Sequence, residues 1–217
     1  MAEKYGTPDQ LKGKKGWENF WYYYKWHTVA GAFVAILLAV LIHDIATREV
    51  YDATVFMASD SYLSDEQAEQ LCLKLETYVG DYDGKQGVNI ELGQANFPKD
   101  IETGDPNLVM AASTRFSATL LEDTTVFLVD DSQYAKLLGE DLLMDLTERY
   151  PELELEDPYR IPLAETDLAD GIQGLPEDLM VCARRKDGMQ KSDTEKVAAH
   201  YQYQLGLLDG IILGAGN

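Results

Sequence analysis

An uncharged apolar run at positions 28–42, TVAGAFVAILLAVLI, constrains this chain more than any other feature. As a helix, its fifteen residues span roughly 22 Å, whereas the hydrocarbon core of a bilayer is about 30 Å thick. Its apolar side chains contribute on the order of −3 to −5 kcal/mol to insertion, which outweighs one lysine near its edge. We therefore predict that flanking residues extend it to one membrane-spanning helix with an aromatic collar, over residues 17–46.

Aromatic side chains and one lysine crowd the amino-terminal side of this run. Amphipathic rings prefer the headgroup level of a bilayer, and a lysine side chain can extend its ammonium group to the same level. We predict a membrane-interface belt formed by Trp17, Phe20, Trp21, Tyr22, Tyr23, Tyr24, Lys25 and Trp26.

The basic residues around the run predict its orientation. Four lysines precede it within reach of the membrane, whereas Arg48 alone follows closely. By the positive-inside rule the amino terminus is cytoplasmic. We expect a single-pass cell-membrane protein with a cytoplasmic tail at 1–16 and an extracytoplasmic domain at 51–217. The four lysines are Lys12, Lys14, Lys15 and Lys25.

A cleaved signal peptide is the alternative interpretation of the same segment. A basic start followed by an apolar run of this length also fits a long h-region, but cleavage favours small residues at the first and third positions before the cut. A cut after Ala46 would place Asp44 at the third position. The uncleaved anchor is therefore the favoured interpretation.

The charge of residues 51–217 restricts the partners of this domain. It carries 12 basic and 33 acidic residues, a net charge of −21. Such a surface is repelled by nucleic acid and by anionic lipid, so we expect no nucleic-acid partner. Solubility at a charged cell surface accounts for the acidity, and binding of a cation or a basic partner is the alternative.

Strand and helix patterns alternate along this domain, and they predict one open, largely parallel α/β domain. We expect strands at 52–58, 88–92, 126–129 and 179–184, and a long loop at 151–176 with at most one short strand at 159–163. Helices are expected from a Ser64–Gln67 capping box to Gly80, from Asp105 and Pro106 to about Leu121, from Asp130 to about Gly139, over 141–150, and after a second capping box at Ser192 and Glu195.

The reactive residues of the domain are sparse. Cys72 and Cys182 both lie on apolar faces, which favours two buried free thiols, with one disulfide as the alternative. His200 is the only histidine beyond the anchor region, and GxSxG, HExxH and CxxC motifs do not occur. We therefore predict no catalytic residue, no metal ligand and no cofactor, although 33 acidic residues leave a carboxylate pair for acid–base chemistry open.

Two groups of residues are candidates for binding. Asp130 and Asp131 follow a predicted strand, and open α/β sheets bind ligands at the carboxyl ends of strands. Aspartate is also an ordinary helix N-cap, which is the structural alternative. A basic cluster is a candidate partner contact, with a solvated turn as the alternative. It consists of Arg184, Arg185, Lys186 and Lys191.

The segment TTVFLVDDSQYAKLLGEDLLMDLTERYP, residues 124–151, resembles part of type II extracellular solute-binding proteins, in which a strand ends in aspartate and the next helix leads into a G.L.DLT pattern. With about 165 residues, the domain has room for one lobe of that fold. The collar WYYYKWH is similar to that of uncharacterised single-pass membrane proteins of Gram-positive Firmicutes. The positions matching the first pattern are Val126 to Asp131, Leu137, Leu138, Gly139, Leu142, Asp145, Leu146 and Thr147.

Anchor, acidic domain and resemblance together predict a non-enzymatic extracytoplasmic binding or accessory domain. Its expected partner is a small ligand, or a protein such as a transporter or envelope component. One alternative is an envelope-acting enzyme that uses carboxylates. The other is a structural subunit whose anchor pairs with another helix through small residues. Those residues are Ala30, Gly31, Ala32, Ala35 and Ala39.

Overall fold

The chain divides into two compact units, residues 1–50 and 51–217. The computed structural model describes residues 14–47, 51–82, 84, 87–99, 105–189 and 194–214. Most of the predicted cytoplasmic tail therefore lies outside the described residues.

Helix α1, Lys14–Thr47, runs without interruption for 34 residues, roughly 51 Å at about 1.5 Å per residue. Within it, Tyr24–Asp44 is long and apolar enough to cross a membrane, with a mean hydropathy of 1.9. The described side chains, at 21, 22 and 24–44, are all exposed. The prediction that the flanks extend the apolar run into a helix of spanning length is confirmed.

Residues 51–217 build an open, mixed sheet of five strands in the order β2-β1-β3-β5-β4. β1 pairs in parallel with both β2 and β3, and β5 runs antiparallel to β3 and β4. The open α/β class is confirmed, but the expectation of a largely parallel sheet is corrected to a mixed one because β5 opposes its neighbours. The strands are β1 Ala53–Ser59, β2 Ile90–Asn96, β3 Val126–Val129, β4 Ile161–Pro162 and β5 Met180–Ala183.

Helices cover both faces of this sheet. Successive strand residues point to opposite faces, so Val55 and Met57 join one core and Phe56 joins the other. Leu71 of α2 packs in the first core with the apolar side of α5, and Phe116 of α3 packs in the second with α4. The helices are α2 Asp65–Glu76, α3 Pro106–Leu121, α4 Asp131–Gly139 and α5 Glu195–Leu213.

The N-caps agree with the sequence at α2, α3 and α4. Ser64 and Gln67 form the predicted capping box on α2, Asp105 caps α3, and Asp130 caps α4. Helix α5 instead begins after Thr194, and the predicted N-cap Ser192 lies outside the described residues.

The helix predicted over 141–150 is wrong. Asp141 has a left-handed φ of 55°, and Leu143 forms an antiparallel bridge with Arg184. The N–H of Met144 donates to the carbonyl oxygen of Ala183 at 2.8 Å. The first part of the segment therefore bonds to the end of β5, and only its end bonds to itself, where the N–H of Tyr150 donates to the carbonyl oxygen of Leu146 at 2.8 Å.

Cys72 and Cys182 are both free thiols, as predicted, but the expected burial holds only for Cys182. Cys182 is fully buried in β5, and Cys72 is partly buried on α2. Burial raises the pKa of both thiols. Both cysteines therefore act as small apolar side chains of the fold.

Candidate functional site

The carboxyl ends of β1, β2 and β3 meet at one edge of the sheet because these strands are parallel. The loops that follow them enclose a pocket of about 200 Å³, which we call the carboxyl-edge crevice. The chain passes from β1 to β2 on one side and then to β3 on the other. Open α/β sheets place ligand sites at such a reversal of strand order. Six of the residues that line the crevice are Asp60, Lys99, Asp130, Asp131, Gln133 and Asp178.

Asp130 is the buried centre of this crevice, with 6% of its surface exposed. One of its carboxylate oxygens accepts the N–H of Gln133 at 2.9 Å, and the other accepts the N–H of Asp60 at 2.8 Å. Burial raises the pKa of Asp130, and Asp178 adds to the rise by charge repulsion, while N–H donation from Gln133 opposes it. Asp130 therefore caps α4 and also holds the loop after β1 against it.

Asp131 lies at the mouth of the crevice and is exposed. Its carboxylate pairs with the guanidinium of Arg160, which also pairs with Asp157 at 3.1 Å and lies over the ring of Tyr134, 4.5 Å from its centroid. The hydroxyl of Tyr134 donates to Asp157 at 2.8 Å. These contacts hold Arg160 beside α4.

Two lysines complete the charge of this edge. The ammonium of Lys99 is 2.9 Å from the carboxylate of Asp60, whose side chain is 9% exposed. The Lys99 side chain is 80% exposed, so it remains accessible to solvent. Lys136 lies over the ring of Phe97 at 4.7 Å and donates to the amide oxygen of Gln133 at 3.0 Å.

The lining of the crevice is acidic on balance. Among the described residues that line it, Asp60, Asp130, Asp131 and Asp178 are acidic and Lys99 is the one cation, while Arg160 pairs with Asp131 from beside the lining. A carboxylate-rich pocket in a domain of net charge −21 favours a positively charged group over an anion. Among the described residues, no group of three or more His, Cys, Asp or Glu is arranged to hold a metal ion.

A second depression of about 480 Å³ lies at the start of α2 and is lined by polar side chains and Gly171. The side-chain amide of Gln67 donates to the carbonyl oxygens of Gln173 and Gly174, at 3.1 and 2.9 Å. Gln67 thus links the N-terminus of α2 to the loop before β5.

The predicted basic cluster lies at the opposite edge of the sheet from Asp130, because β5 runs antiparallel to β3. Arg184 is 3% exposed, and its guanidinium donates to the carbonyl oxygen of Glu122 at 3.2 Å. Burial lowers its pKa. Its side chain is therefore part of the fold and is removed from the predicted contact surface. Arg185 and Lys186 remain partly exposed, and Lys191 lies outside the described residues.

In the predicted interface belt, the side chains of Trp21, Tyr22, Tyr24, Lys25 and Trp26 are exposed along α1. The side chains at positions 17, 20 and 23 lie outside the described residues. The rings of Tyr24 and His27 meet edge to face, with centroids 6.1 Å apart.

Sequence reasoning missed three charged residues of the crevice. Asp60 directly follows β1 just as Asp130 follows β3, so the same signal would have found it. Lys99 lies three residues after β2, and its loop composition gives no comparable signal. Asp178 precedes β5 and reaches this edge only because β5 is antiparallel, which the sequence pattern does not predict.

Comparison with protein families, with curated proteins and with solved structures finds no match to this chain. The resemblances to solute-binding proteins and to Gram-positive membrane proteins therefore stay predictions. The class defined by the coordinates is an open, mixed α/β domain that follows an N-terminal helix long and apolar enough to span a membrane.

Proposed function

We propose that this protein is a membrane-anchored, non-enzymatic binding or accessory domain, with its amino terminus in the cytoplasm and residues 51–217 outside the cell. The observation that carries the proposal is the acidic crevice at the carboxyl ends of three parallel strands. By charge complementarity, its ligand is a small molecule or a protein segment that carries an amino or guanidinium group. A transporter or another envelope protein is the partner that an anchored domain of this kind would serve.

The hydrogen bonds of Asp130 support binding rather than catalysis. A general base must come within hydrogen-bond reach of the proton that it removes, and only 6% of the Asp130 surface is exposed. Both oxygens of Asp130 already accept backbone N–H groups. The exposed Asp178 is accessible to a ligand, and the exposed Asp131 would contact one beside its ion pair with Arg160.

Thermal unfolding of the full-length protein in mild detergent tests the ligand class. We expect basic peptides and aliphatic diamines to raise the melting temperature at constant ionic strength, since a ligand that binds only the folded state stabilises it. Asp178→Asn should weaken this binding about tenfold, equivalent to roughly 1.4 kcal/mol. Glu152→Gln removes an exposed carboxylate that does not line the crevice, and it should leave binding unchanged. If Asp178→Asn and Glu152→Gln bound these ligands with equal affinity, the assignment of the site would be contradicted.

Partner capture tests the accessory role. The full-length protein is used as bait in mild-detergent extracts, beside a fragment that starts at Tyr51. A specific envelope protein recovered with both baits, and lost with Asp131→Asn and Asp178→Asn together, supports docking at the crevice. Recovery with the full-length bait alone would assign the contact to the anchor instead.

An envelope-acting enzyme is the second candidate, favoured by the raised pKa of the buried Asp130 next to the Asp178 carboxylate. A raised pKa in a crevice is typical of catalytic acids. Turnover of an envelope glycan or peptide by the purified protein, lost in Asp130→Asn, would establish this candidate over the binding role.

A further inference from the structure

Helix α3 differs from the other helices of the domain in its charge. Its sequence, PNLVMAASTRFSATLL, contains no acidic residue and one basic residue, Arg115. Helices α2, α4 and α5 each carry both acidic and basic side chains. In a domain with a net charge of −21, a surface helix without acidic side chains needs an explanation.

Only a narrow stripe of α3 faces the core. Ala112, Phe116 and Thr119 are buried, whereas Met110 is 66% exposed and Leu121 is 64% exposed. The helix therefore exposes three large apolar side chains, because Leu108 is also 60% exposed, and Met110 and Leu121 share one side of it. Isolated apolar residues are normal on a surface, but Met110 and Leu121 fall on the same side of α3, and the exposed Arg115 is the only charged residue of the helix.

Four residues form a stripe along this exposed side, spaced four, three and four apart: Met110, Thr114, Ser117 and Leu121. At 3.6 residues per turn they lie within about 60° of one another. The alternating spacing matches the seam of helices that pack at about +20°. The hydroxyl of Thr114 donates to the carbonyl oxygen of Met110 at 2.8 Å, so it needs no external partner.

The stripe reads the same in both directions, with a large apolar residue at each end and two small hydroxyl residues between them. When two such helices pack antiparallel, Met110 of each faces Leu121 of the other, and Thr114 faces Ser117. This is the self-complementary arrangement that a twofold axis requires. Small exposed neighbours allow the backbones to approach closely. They are Ala111, Ser113 and Ala118.

We infer that the exposed face of α3 is a self-association surface, which pairs antiparallel with α3 of a second copy of this chain. Charge supports the choice of occupant, because two domains of net charge −21 repel each other least where both surfaces lack acidic side chains. The palindromic stripe favours a second copy over an unrelated helix.

The size of the face makes the pairing dependent on the membrane. Two helices of 16 residues, roughly 24 Å long, bury on the order of 800 Å² in total, below the roughly 1,200 Å² at which stable interfaces begin. Confinement of both copies by α1 in one bilayer raises their effective concentration. The dimer therefore forms in membranes and dissociates in dilute detergent.

Cysteine crosslinking of the full chain in membranes tests this inference. Thr114→Cys and Ser117→Cys are made as separately tagged single variants, co-expressed and oxidised mildly. We expect the yield of the mixed disulfide dimer to be at least tenfold higher than the yield from Thr114→Cys paired with Glu69→Cys. Glu69 is exposed on α2. The parent chain, whose thiols are Cys72 and Cys182, gives the background.

A charge inserted into the face provides an independent test. Thr114→Glu should reduce dimer detected by a lysine-reactive crosslinker at least tenfold, because it places like charges at the twofold axis. Gln202→Glu adds the same charge on the exposed side of α5 and should leave the dimer unchanged. Raising the salt concentration from about 0.05 to 0.5 M should increase the dimer severalfold by screening the repulsion between domains.

Three results would overturn the inference. The first is equal disulfide yield when Thr114→Cys is paired with Ser117→Cys and with Glu69→Cys. The second is a dimer that survives Thr114→Glu while the melting temperature of the variant is unchanged. The third is a crosslink from Thr114→Cys to a different protein. The last of these would assign the α3 face to a heterologous partner.

Discussion

Two glycines of α5, about one turn apart, allow a sharp test of how closely this helix approaches the chain just after α2. A Cβ atom added at Gly210 would lie 2.3 Å from the Cβ and 2.6 Å from the Cγ of Tyr78. A Cβ added at Gly206 would meet nothing within 4 Å. The hydroxyl of Tyr78 is held by Asp167 at 2.6 Å, so its side chain cannot move aside without losing that hydrogen bond.

The two substitutions are expected to change the free energy of unfolding in opposite directions. Alanine is preferred over glycine in a helix interior by about 0.8–1.0 kcal/mol, so Gly206→Ala should stabilise the protein by about that amount. Gly210→Ala gains the same amount and loses about 1–3 kcal/mol to overpacking. Because 2.3 Å is far inside van der Waals contact, we expect the upper end of this cost and a net destabilisation of about 2 kcal/mol.

Differential scanning calorimetry of the full chain in mild detergent measures both variants. At about 2–4 °C per kcal/mol for a domain of this size, Gly206→Ala should raise the melting temperature by roughly 2–4 °C. Gly210→Ala should lower it by roughly 4–8 °C. If Gly210→Ala raised the melting temperature as much as Gly206→Ala, the close approach of α5 to Tyr78 would be refuted.

Three further predictions concern buried polar groups and thiols. Burial raises the folded-state pKa of Asp130. Protonation of Asp130 therefore contributes most to stability below the unfolded pKa of about 3.9, and this contribution is lost as pH rises through the folded pKa. In urea unfolding, acidification from pH 7 to 4 should stabilise the wild type relative to Asp130→Asn. Asp209→Ala removes the acceptor of the buried Tyr150 hydroxyl, 2.7 Å away, and the ion-pair partner of Arg149. It should lower the free energy of unfolding by about 1–3 kcal/mol, and a change within about 0.5 kcal/mol would show that these contacts together add nothing. Cys72 and Cys182 are free, so a thiol reagent without reductant should titrate both in the unfolded chain and neither quickly in the native one; a blocked pair in the unfolded chain would show a disulfide.

Local signals in the sequence predicted several elements closely. The predicted strand 126–129 matches β3, because four consecutive apolar residues are typical of a strand buried on both faces. Asp105 and Pro106 start α3 where predicted, since aspartate satisfies free N–H groups and proline has the helical φ already. These features depend on residues within one turn or one strand of each other.

The predictions that failed depend on residues far apart in the chain. Leucines at helical spacing in 141–150 predicted a helix, but Leu143 bonds across to Arg184, 41 positions later. The direction of β5 depends on the path of the preceding connection, whose turns have no periodic pattern. Local propensity is a weak preference that tertiary contacts override.

The candidate site shows the same division. The sequence placed Asp130 and Asp131 after a strand, and the structure brings Asp60, Lys99 and Asp178 beside them. Asp60 and Asp130 are 70 residues apart, yet the Asp60 N–H donates to the Asp130 carboxylate. Which carboxylates meet is therefore decided by strand order and direction.

The sequence alone determines the apolar helix of spanning length, the acidic domain, the alternation of strands and helices and the N-caps of α2, α3 and α4. These features follow from composition and from neighbours in the chain. Only the tertiary structure decided the antiparallel direction of β5, the burial of Arg184, the acidic crevice and the uncovered face of α3. The physical reason is that burial and charge proximity are set by which distant segments pack together. The free energy of that packing comes from the whole core and not from any local pattern.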